Sequence, residues 1–594
     1  MKQTSRQVAE HATFQNFANC YVREVSPGRV IQHWSDPEEA VDCIEWVLSA
    51  QQATLRAEVV SHSRCGPHRF GRAWLRRSGE AGWRQAEPLA ALQMLLQEAY
   101  RQLPEERSDR LRGHELELLG RALLSYQQTE RYIDARPWPA DDDSFIAAEQ
   151  SLVFGHALHP TPKSRQGMTG WQEPAYAPEL GGNFQLFWFA ADATMVSHKS
   201  VADLSAPQIA ASLIGPETAG LKLRDGEVPL PMHPLQAEAL LLDPEVRALE
   251  RTGRLRALGP AGPAFTATSS VRTVYSPDVP WMLKFSLPVR ITNSIRLNRR
   301  KELEAGVAMA KLVGRTGIAT ANPRFRMILD PAFLTLDMPD RAESGFEVIL
   351  RENPFAAGAA RGKVTVAALT AEPLSGEPSR LERIVRTICA RDGAHPALVA
   401  EQWFRRYLDC VLDPLVMLYD DYGVALEAHQ QNSLLDVSEL YPTASYYRDN
   451  QGFYLSRRHR ARFSLHVPET AGIGSLFYDD RDIQDRFAYY LIVNQVFSVV
   501  ARMGHDGLAD EELLLRILRD RLEHLARTTG GVGREFVRGL LDRPTVTFKA
   551  NLTARLFDVD ELQTDNERAL YAPLPNPIFG LTASFHGDGS AIAS

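Results

Sequence analysis

The chain has 594 residues, 44% hydrophobic and 24% charged, a composition that excludes a disordered or collagen-like protein. At about 100–200 residues per unit it predicts three or four packed units rather than one core. Its 66 basic and 74 acidic residues give a net charge of −8, which excludes a global basic footprint for nucleic acid.

In chain order, residues 1–145 read as mostly helical with some strand. Leu92, Leu95, Leu96, Ala99 and Leu103 form a helical stripe over 90–103, and 116–124 continues that style. Two prolines and an acidic run predict a boundary over 135–143. Residues 146–395 are the most Pro-punctuated and strand-like. There, 281–287 predicts a strand ended by Pro288. Residues 301–313 predict a helix with Leu303, Val307, Ala310 and Val313 as its stripe and Gly314 and Gly317 as stops. Residues 358–379, rich in Ala, Gly and Pro, predict a surface excursion. Residues 396–594 are more helical: 402–419 (with a kink at Pro414), 485–503, and 511–527 closed by Gly530-Gly531. Short strands and turns are expected over 423–454, and a loose tail after Phe585. The fold class is therefore α+β, with domains at 1–145, 146–395 and 396–594. No run of 18 uncharged apolar residues and no apolar leader occur, so neither a membrane span nor a signal peptide is expected. Cys20, Cys43, Cys65, Cys389 and Cys410 are odd in number and widely spaced, which reads as reduced cytoplasmic thiols.

Three constellations carry chemistry. Thr268-Ser269-Ser270-Val271-Arg272-Thr273 offers hydroxyls, backbone N–H groups and a guanidinium suited to polyphosphate, without being a Walker loop. The rival reading is a polar turn before a strand. From Thr268 to Lys301 seven basic residues (Arg272, Lys284, Arg290, Arg296, Arg299, Arg300, Lys301) stand against Asp278, a local net of +6. A lysine inside the apolar run 281–287 is costly to bury unpaired, so an anionic ligand is one partner; a solvated edge strand is the alternative. Second, Gly155-His156-Ala157-Leu158-His159-Pro160-Thr161-Pro162-Lys163-Ser164 sets two histidines and a lysine in a stiff loop fit to grip a carboxylate. Zinc is the rival, with His233 as a distant further ligand, although two histidines fall short of a closed site. Third, in Gly423–Leu435 Glu427, His429 and Gln431 alternate, so on a strand they share a face; a polar β-hairpin end is the alternative. Tyr447-Arg448-Asp449-Asn450-Gln451-Gly452 then offers a carboxylate beside a glycine turn, similar to the magnesium ligands of kinase-type sites. His62-x-x-Cys65-x-x-His68 has metal-like spacing, but Arg64, Arg69 and Arg72 crowd it. No Gly-x-Ser-x-Gly elbow or His-Glu-x-x-His motif occurs.

Taken together, these segments resemble the siderophore synthetases that work without nonribosomal peptide synthetase modules, the IucA/IucC-like family. The resemblance rests on the three constellations plus Met232-His233-Pro234-Leu235-Gln236, the segment Lys284 to Arg296 and Lys549-Ala550-Asn551-Leu552, in the family's order over about 149–555. Ala157 departs from the proline the family often has there. The resemblance implies a hand-like fold: an N-terminal thumb, fingers, and a C-terminal palm distantly like a protein kinase. It implies ATP, Mg2+ and adenylation of citrate or a related polycarboxylate, followed by displacement of AMP by a small amine or alcohol. It further implies a cytoplasmic homodimer. Carried over by position, Ser270, Arg272, Thr273 and Lys284 hold phosphates; His429, Gln431 and Asn432 contact the nucleotide; Glu427 and Asp449 position it or its magnesium. His159, Lys163, Thr292 and Arg296 grip citrate, and Arg296, His429 and Lys284 are the catalytic candidates. A kinase-like phosphotransferase and a non-catalytic binder of citrate or a ferric siderophore are the rival functions.

Overall fold

The structure is a computed structural model that describes residues 3–35, 39–103, 108–135, 142–214, 221–292, 294–449, 452–472, 476–558 and 570–582. The predicted boundary over 135–143 lies largely outside these residues, as do Asn293, Asn450, Gln451 and the tail after Phe585.

The N-terminal part opens with the helix Ser5–Glu24, started by a Thr4/Gln7 capping box. Five antiparallel strands follow in sequential order: Arg29–Ser35, Ala40–Leu48, Ala53–Ser61, Arg69–Arg77 and Arg84–Ala86. The helices Pro88–Arg101 and Ser108–Ala135 complete it. The expectation of mostly helix with some strand holds, and the strands form one continuous sheet. Only one face, with Ile44, Trp46, Leu48, Leu55 and Ala57, joins the core shared with Phe14, Phe17, Leu92 and Leu95. The other face carries charges such as Glu45 and Arg56, and this dilutes the hydrophobic signal.

The middle part is built on an eight-stranded antiparallel sheet. Its spatial order is Val196–Ser200, Ala332–Leu336, Val348–Glu352, Trp281–Phe285, Thr273–Tyr275, Leu255–Ala267, Phe184–Asp192 and Glu227–Met232. Trp281–Phe285 is interior, so the edge-strand reading of this segment is overturned. Leu283 and Phe285 face the core with Val274 and Leu350. Register then puts Thr273, Lys284 and Arg351 together on the opposite face.

The helix Arg300–Thr316, closed by Gly317 at φ 75°, leaves this sheet. Leu303 and Val307 pack on Phe333 and Ile349, whereas Met309, Leu312 and Val313 enter the C-terminal core. That core is centred on the 27-residue helix Pro396–Tyr422, which continues through Pro414. It also takes Val364, Val366 and Leu369, so 358–379 is not a surface excursion: it holds the buried strand Lys363–Thr365 and helix Val366–Thr370. The expected limits at 145 and 395 are therefore crossed by packing. Leu552 and Leu556, from the helix Asn551–Leu556, likewise complete the N-terminal core.

Two small sheets position the C-terminal site segments. Phe325–Ile328 pairs in parallel with Ala444–Arg448, which pairs with Ser433–Asp436 and through it with Lys363–Thr365. Val424–Leu426 pairs with Phe453–Ser456. The run Asp480–His505 is helical throughout, with Ala488–Val496 wound as a π-helix. Among the described residues no helix is long and apolar enough to cross a membrane. All five cysteines are free thiols.

Candidate active site

A cleft of about 1070 Å³ lies where the three parts of the chain meet. All the candidates border it: His159, Lys163, Ser270, Arg272, Thr273, Lys284, Thr292, Arg296, Glu427, His429, Gln431, Asn432 and Asp449. Of the seven basic residues in the +6 segment, Arg272, Lys284, Arg296, Arg299 and Lys301 line the cleft. Arg300 turns away to Asp337, and Arg290 lies 3.8 Å from Asp558.

Three of the turns that line the cleft hold non-glycine residues in the left-handed region: Val271 (φ 66°), Thr292 (φ 55°) and Asp449 (φ 100°). Each such conformation costs about 1–3 kcal/mol and persists only where the surroundings enforce it. At Val271 the turn is closed by Val271 N–H to the Thr268 carbonyl and Arg272 N–H to the Ser270 carbonyl, both 2.8 Å. The Ser270 hydroxyl accepts the Thr273 N–H at 3.1 Å. The Arg272 guanidinium is nearly buried and donates to Asn298 Oδ1 at 3.0 Å.

Lys284 Nζ meets Asp449 Oδ1 at 2.7 Å. Arg351, held by both oxygens of Asp330 at 2.6 and 2.9 Å, stands 3.7 Å from the same Asp449 oxygen. Burial lowers the Lys284 pKa to about 8, against the opposing pull of Asp449. Asp449 stays ionised: Lys284 and Arg351 together outweigh its burial.

Glu427, His429 and Gln431 do not share a strand face. Val424–Leu426 ends before Glu427, and 427–432 is a turn closed by His429 N–H to the Glu427 carbonyl (2.8 Å) and Asn432 N–H to the His429 carbonyl (2.9 Å). The Asn432 amide braces it by donating to the Glu427 carbonyl. A polar turn between two buried strands alternates just as a strand would, so spacing alone did not separate the two readings. His429 Nδ1 accepts the Gln431 N–H at 3.2 Å, which puts the ring proton on Nε2. Burial lowers its pKa to about 3, so His429 is a neutral hydrogen-bond donor and not a cation. Glu427 accepts from the Tyr454 hydroxyl, and burial raises its pKa. Gly452 packs so closely that a Cβ there would sit 2.7 Å from Glu427 Cβ.

On the other wall, His159 Nδ1 accepts the Thr161 N–H at 3.1 Å. Lys163 is buried and paired with Glu179 Oε1, which also receives Arg165 at 2.7 Å. Lys163 is therefore an already paired cation on this wall of the cleft. Arg296 donates to the Ile291 carbonyl at 3.0 Å and the Thr292 hydroxyl at 2.7 Å. For the zinc reading, no group of three or more His, Cys, Asp or Glu able to hold a metal is brought together among the described residues.

Residues 144–371 match the IucA / IucC family, and residues 401–564 match the family described as ferric iron reductase FhuF-like transporter. The chain is 38% identical to the spermidine-citrate ligase of Bacillus anthracis, over 97% of this chain and 98% of that protein. The chain belongs to the IucA/IucC family of siderophore synthetases. It is also 36% identical to the rhizobactin siderophore biosynthesis protein RhbC of Rhizobium meliloti, over 77% of this chain and 80% of that one. The solved structure of ATP-bound aerobactin synthetase IucA from Klebsiella pneumoniae superposes with a TM-score of 0.86 at 27% identity, covering 96% of this chain and all of that one. The petrobactin biosynthesis protein AsbB of B. anthracis shares the fold, with a TM-score of 0.74 at 17% identity.

Within this IucA/IucC cleft, several residues escaped the sequence reading. Arg351 and Asp330 are 21 positions apart on separate segments and gave no motif. A signal was present: an arginine interrupts the apolar run Val348–Glu352, just as Lys284 interrupts its own strand. Tyr490, 5.8 Å from the His429 ring, comes from the π-helical segment, as do Tyr489 and Asn494 on the same wall.

Proposed function

We propose that this IucA/IucC-family chain is an ATP-dependent ligase that adenylates a carboxylate of citrate and condenses it with a small amine. The supporting observation is the convergence of five cationic side chains from one segment with His429, Gln431 and Asp449 on a single cleft. The 38% relative named for citrate and spermidine points to a polyamine as the first acceptor to test. The hand-like division into thumb, fingers and kinase-like palm, the cytoplasmic location and the homodimer belong to the same reading.

In this reading a citrate oxygen attacks the α-phosphorus and pyrophosphate leaves. The amine nitrogen then attacks the citryl carbonyl, loses a proton, and AMP leaves. No side chain acts as nucleophile. The chain supplies positioning and charge. Ser270, Arg272, Thr273 and Lys284 face the phosphates; His159, Thr292 and Arg296 face citrate, with Lys163 adding charge from its pair with Glu179. Asp449 and Glu427 fit a magnesium ion arriving with the nucleotide, because that ion takes one or two carboxylates plus phosphate oxygens and water. When bound it would neutralise phosphate charge. The test is release of AMP and pyrophosphate that depends on citrate, with trapping of citryl hydroxamate by hydroxylamine. ADP and phosphate with every acid would refute adenylation.

His429, held neutral with its proton on Nε2, donates a hydrogen bond and takes no proton near pH 7. His429→Ala is expected to lower turnover by roughly 10²-fold, whereas His429→Asn, which keeps an N–H donor, retains most of it. The pH profile of kcat/KM should show no inflection near 6.5 that disappears in His429→Asn.

Lys284 sets a second pH dependence. Its proton is bound with a pKa of about 8 in the free protein, and the phosphates need it. ATP affinity should therefore fall as pH rises through 8, by up to about tenfold per unit. Folding responds with the opposite sign. Between about 8 and the ordinary lysine value of 10.5 the unfolded chain holds more protons, so this group's contribution to stability rises with pH. Calorimetric ATP titration at pH 7 and 9 beside thermal unfolding checks both; an unchanged affinity removes Lys284 from the phosphates.

A further inference from the structure

Glu149 lies outside every motif considered above. It sits in the short helix Phe145–Gln150 and is 1% exposed. Its Oε2 accepts the Ser269 N–H at 2.9 Å, the Ser269 hydroxyl at 2.7 Å and Arg448 Nη2 at 3.0 Å, and its Oε1 lies 2.9 Å from the Arg448 guanidinium. Arg448, also buried, donates to the Gln431 carbonyl at 2.8 Å. The Gln431 amide returns to the Ser269 hydroxyl at 3.2 Å. One carboxylate thereby joins four segments: the 145–150 helix, the 268–273 turn, the 427–432 turn and the end of strand Ala444–Arg448.

Each anchored residue adjoins a candidate ligand contact. Ser269 precedes Ser270 and stands two residues before the left-handed Val271; Arg448 directly precedes the left-handed Asp449. Both strained turns are thus fastened from behind by the same ion pair, which comes from parts of the chain almost 300 residues apart. An amide cannot replace this carboxylate: it has one acceptor oxygen, and its N–H groups would confront a guanidinium that has only donors.

We propose that Glu149, acting through Arg448 and Ser269, is a positioning residue for the nucleotide. It sets the 268–273 turn and Asp449 in register with each other, so that its loss appears in ATP binding and not in citrate binding. This rests on the reading of the 268–273 turn as the phosphate site. A pair that merely stabilised the fold would lower thermal stability and change the kinetics toward both substrates in parallel.

The experiment is steady-state kinetics on the full chain with Glu149→Gln and with Ser269→Ala, which removes only a hydroxyl and leaves the ion pair intact. ATP binding is measured separately by calorimetry, without citrate. Glu149→Gln is expected to raise the KM for ATP by about 10-fold and its Kd in proportion, with the citrate KM within twofold of wild type; Ser269→Ala should shift ATP alone by about 3-fold. Unchanged ATP parameters in folded Glu149→Gln, or equal shifts for both substrates, overturn the proposal. Should Glu149→Gln not fold, Ser269→Ala decides: a wild-type ATP Kd overturns it, and an ATP-only shift supports it. A wild-type protein that binds ATP but releases no pyrophosphate with citrate would instead defeat the ligase reading, while the Kd comparison still tests Glu149.

Discussion

Asp449→Asn is expected to lower citrate-dependent pyrophosphate release by about 10³-fold, the largest effect of any single change at the site. The reason is that two groups fail together. Asp449 is the anion shared by Lys284 at 2.7 Å and Arg351 at 3.7 Å. Arg351 keeps Asp330, whereas Lys284, 3% exposed, loses the carboxylate that its ammonium meets. Its pKa already stands near 8 with Asp449 present, and removing that charge lowers it further toward the neutral amine. The phosphate lysine and the carboxylate fit for magnesium are lost in one substitution. Breaking the pair should also destabilise the fold by about 1–3 kcal/mol, less than for a fully buried pair because Asp449 is a quarter exposed. The double variant Lys284→Met/Asp449→Asn separates the two effects: thermal stability should recover toward wild type while activity does not. Recovery of activity in the double variant, or near-normal release by Asp449→Asn, would show that the pair is structural only.

Arg296→Lys should preserve folding and most ATP binding yet lose adenylation by about 10²-fold. Arg296 lines the cleft from the short hairpin Arg290–Ile291/Ser294–Ile295, with one nitrogen committed to the Ile291 carbonyl and the Thr292 hydroxyl. Thr292 is itself left-handed, so the hairpin depends on that anchor. A planar fork can keep the anchor and still present donors to the two anions that must meet, the citrate carboxylate and the α-phosphate. An ammonium is a single point and must abandon one task. An arginine making only a surface ion pair would be worth at most about 1 kcal/mol and irrelevant to rate. Pyrophosphate release measured beside thermal stability distinguishes these. Near-normal release from the lysine variant would remove Arg296 from the chemistry.

Local text alone determined much of this protein. The helices Arg300–Thr316 and Glu511–Thr528 and the strand Trp281–Phe285 follow from periodicity and stop signals within a few residues of each other. The +6 segment pointed toward an anionic ligand, because seven cations against one acidic residue in 34 residues of an acidic chain call for partners. The order of short motifs pointed to the family. Tertiary structure decided the rest, and for one physical reason: interactions between distant segments leave no local period. That the N-terminal strands join in one five-stranded sheet was not legible, because one of its faces is polar. The buried fate of 363–370 and the sharing of the helix Arg300–Thr316 between two cores depend on what packs against them. The partner of Lys163, Glu179, lies 16 residues on and belongs to no motif with it. His429 was a catalytic candidate of undefined protonation until burial and the Gln431 N–H made it a neutral donor. Glu149, Asp330 and Arg351 have no motif at all, because a buried charge takes its meaning from the partner that the fold brings to it.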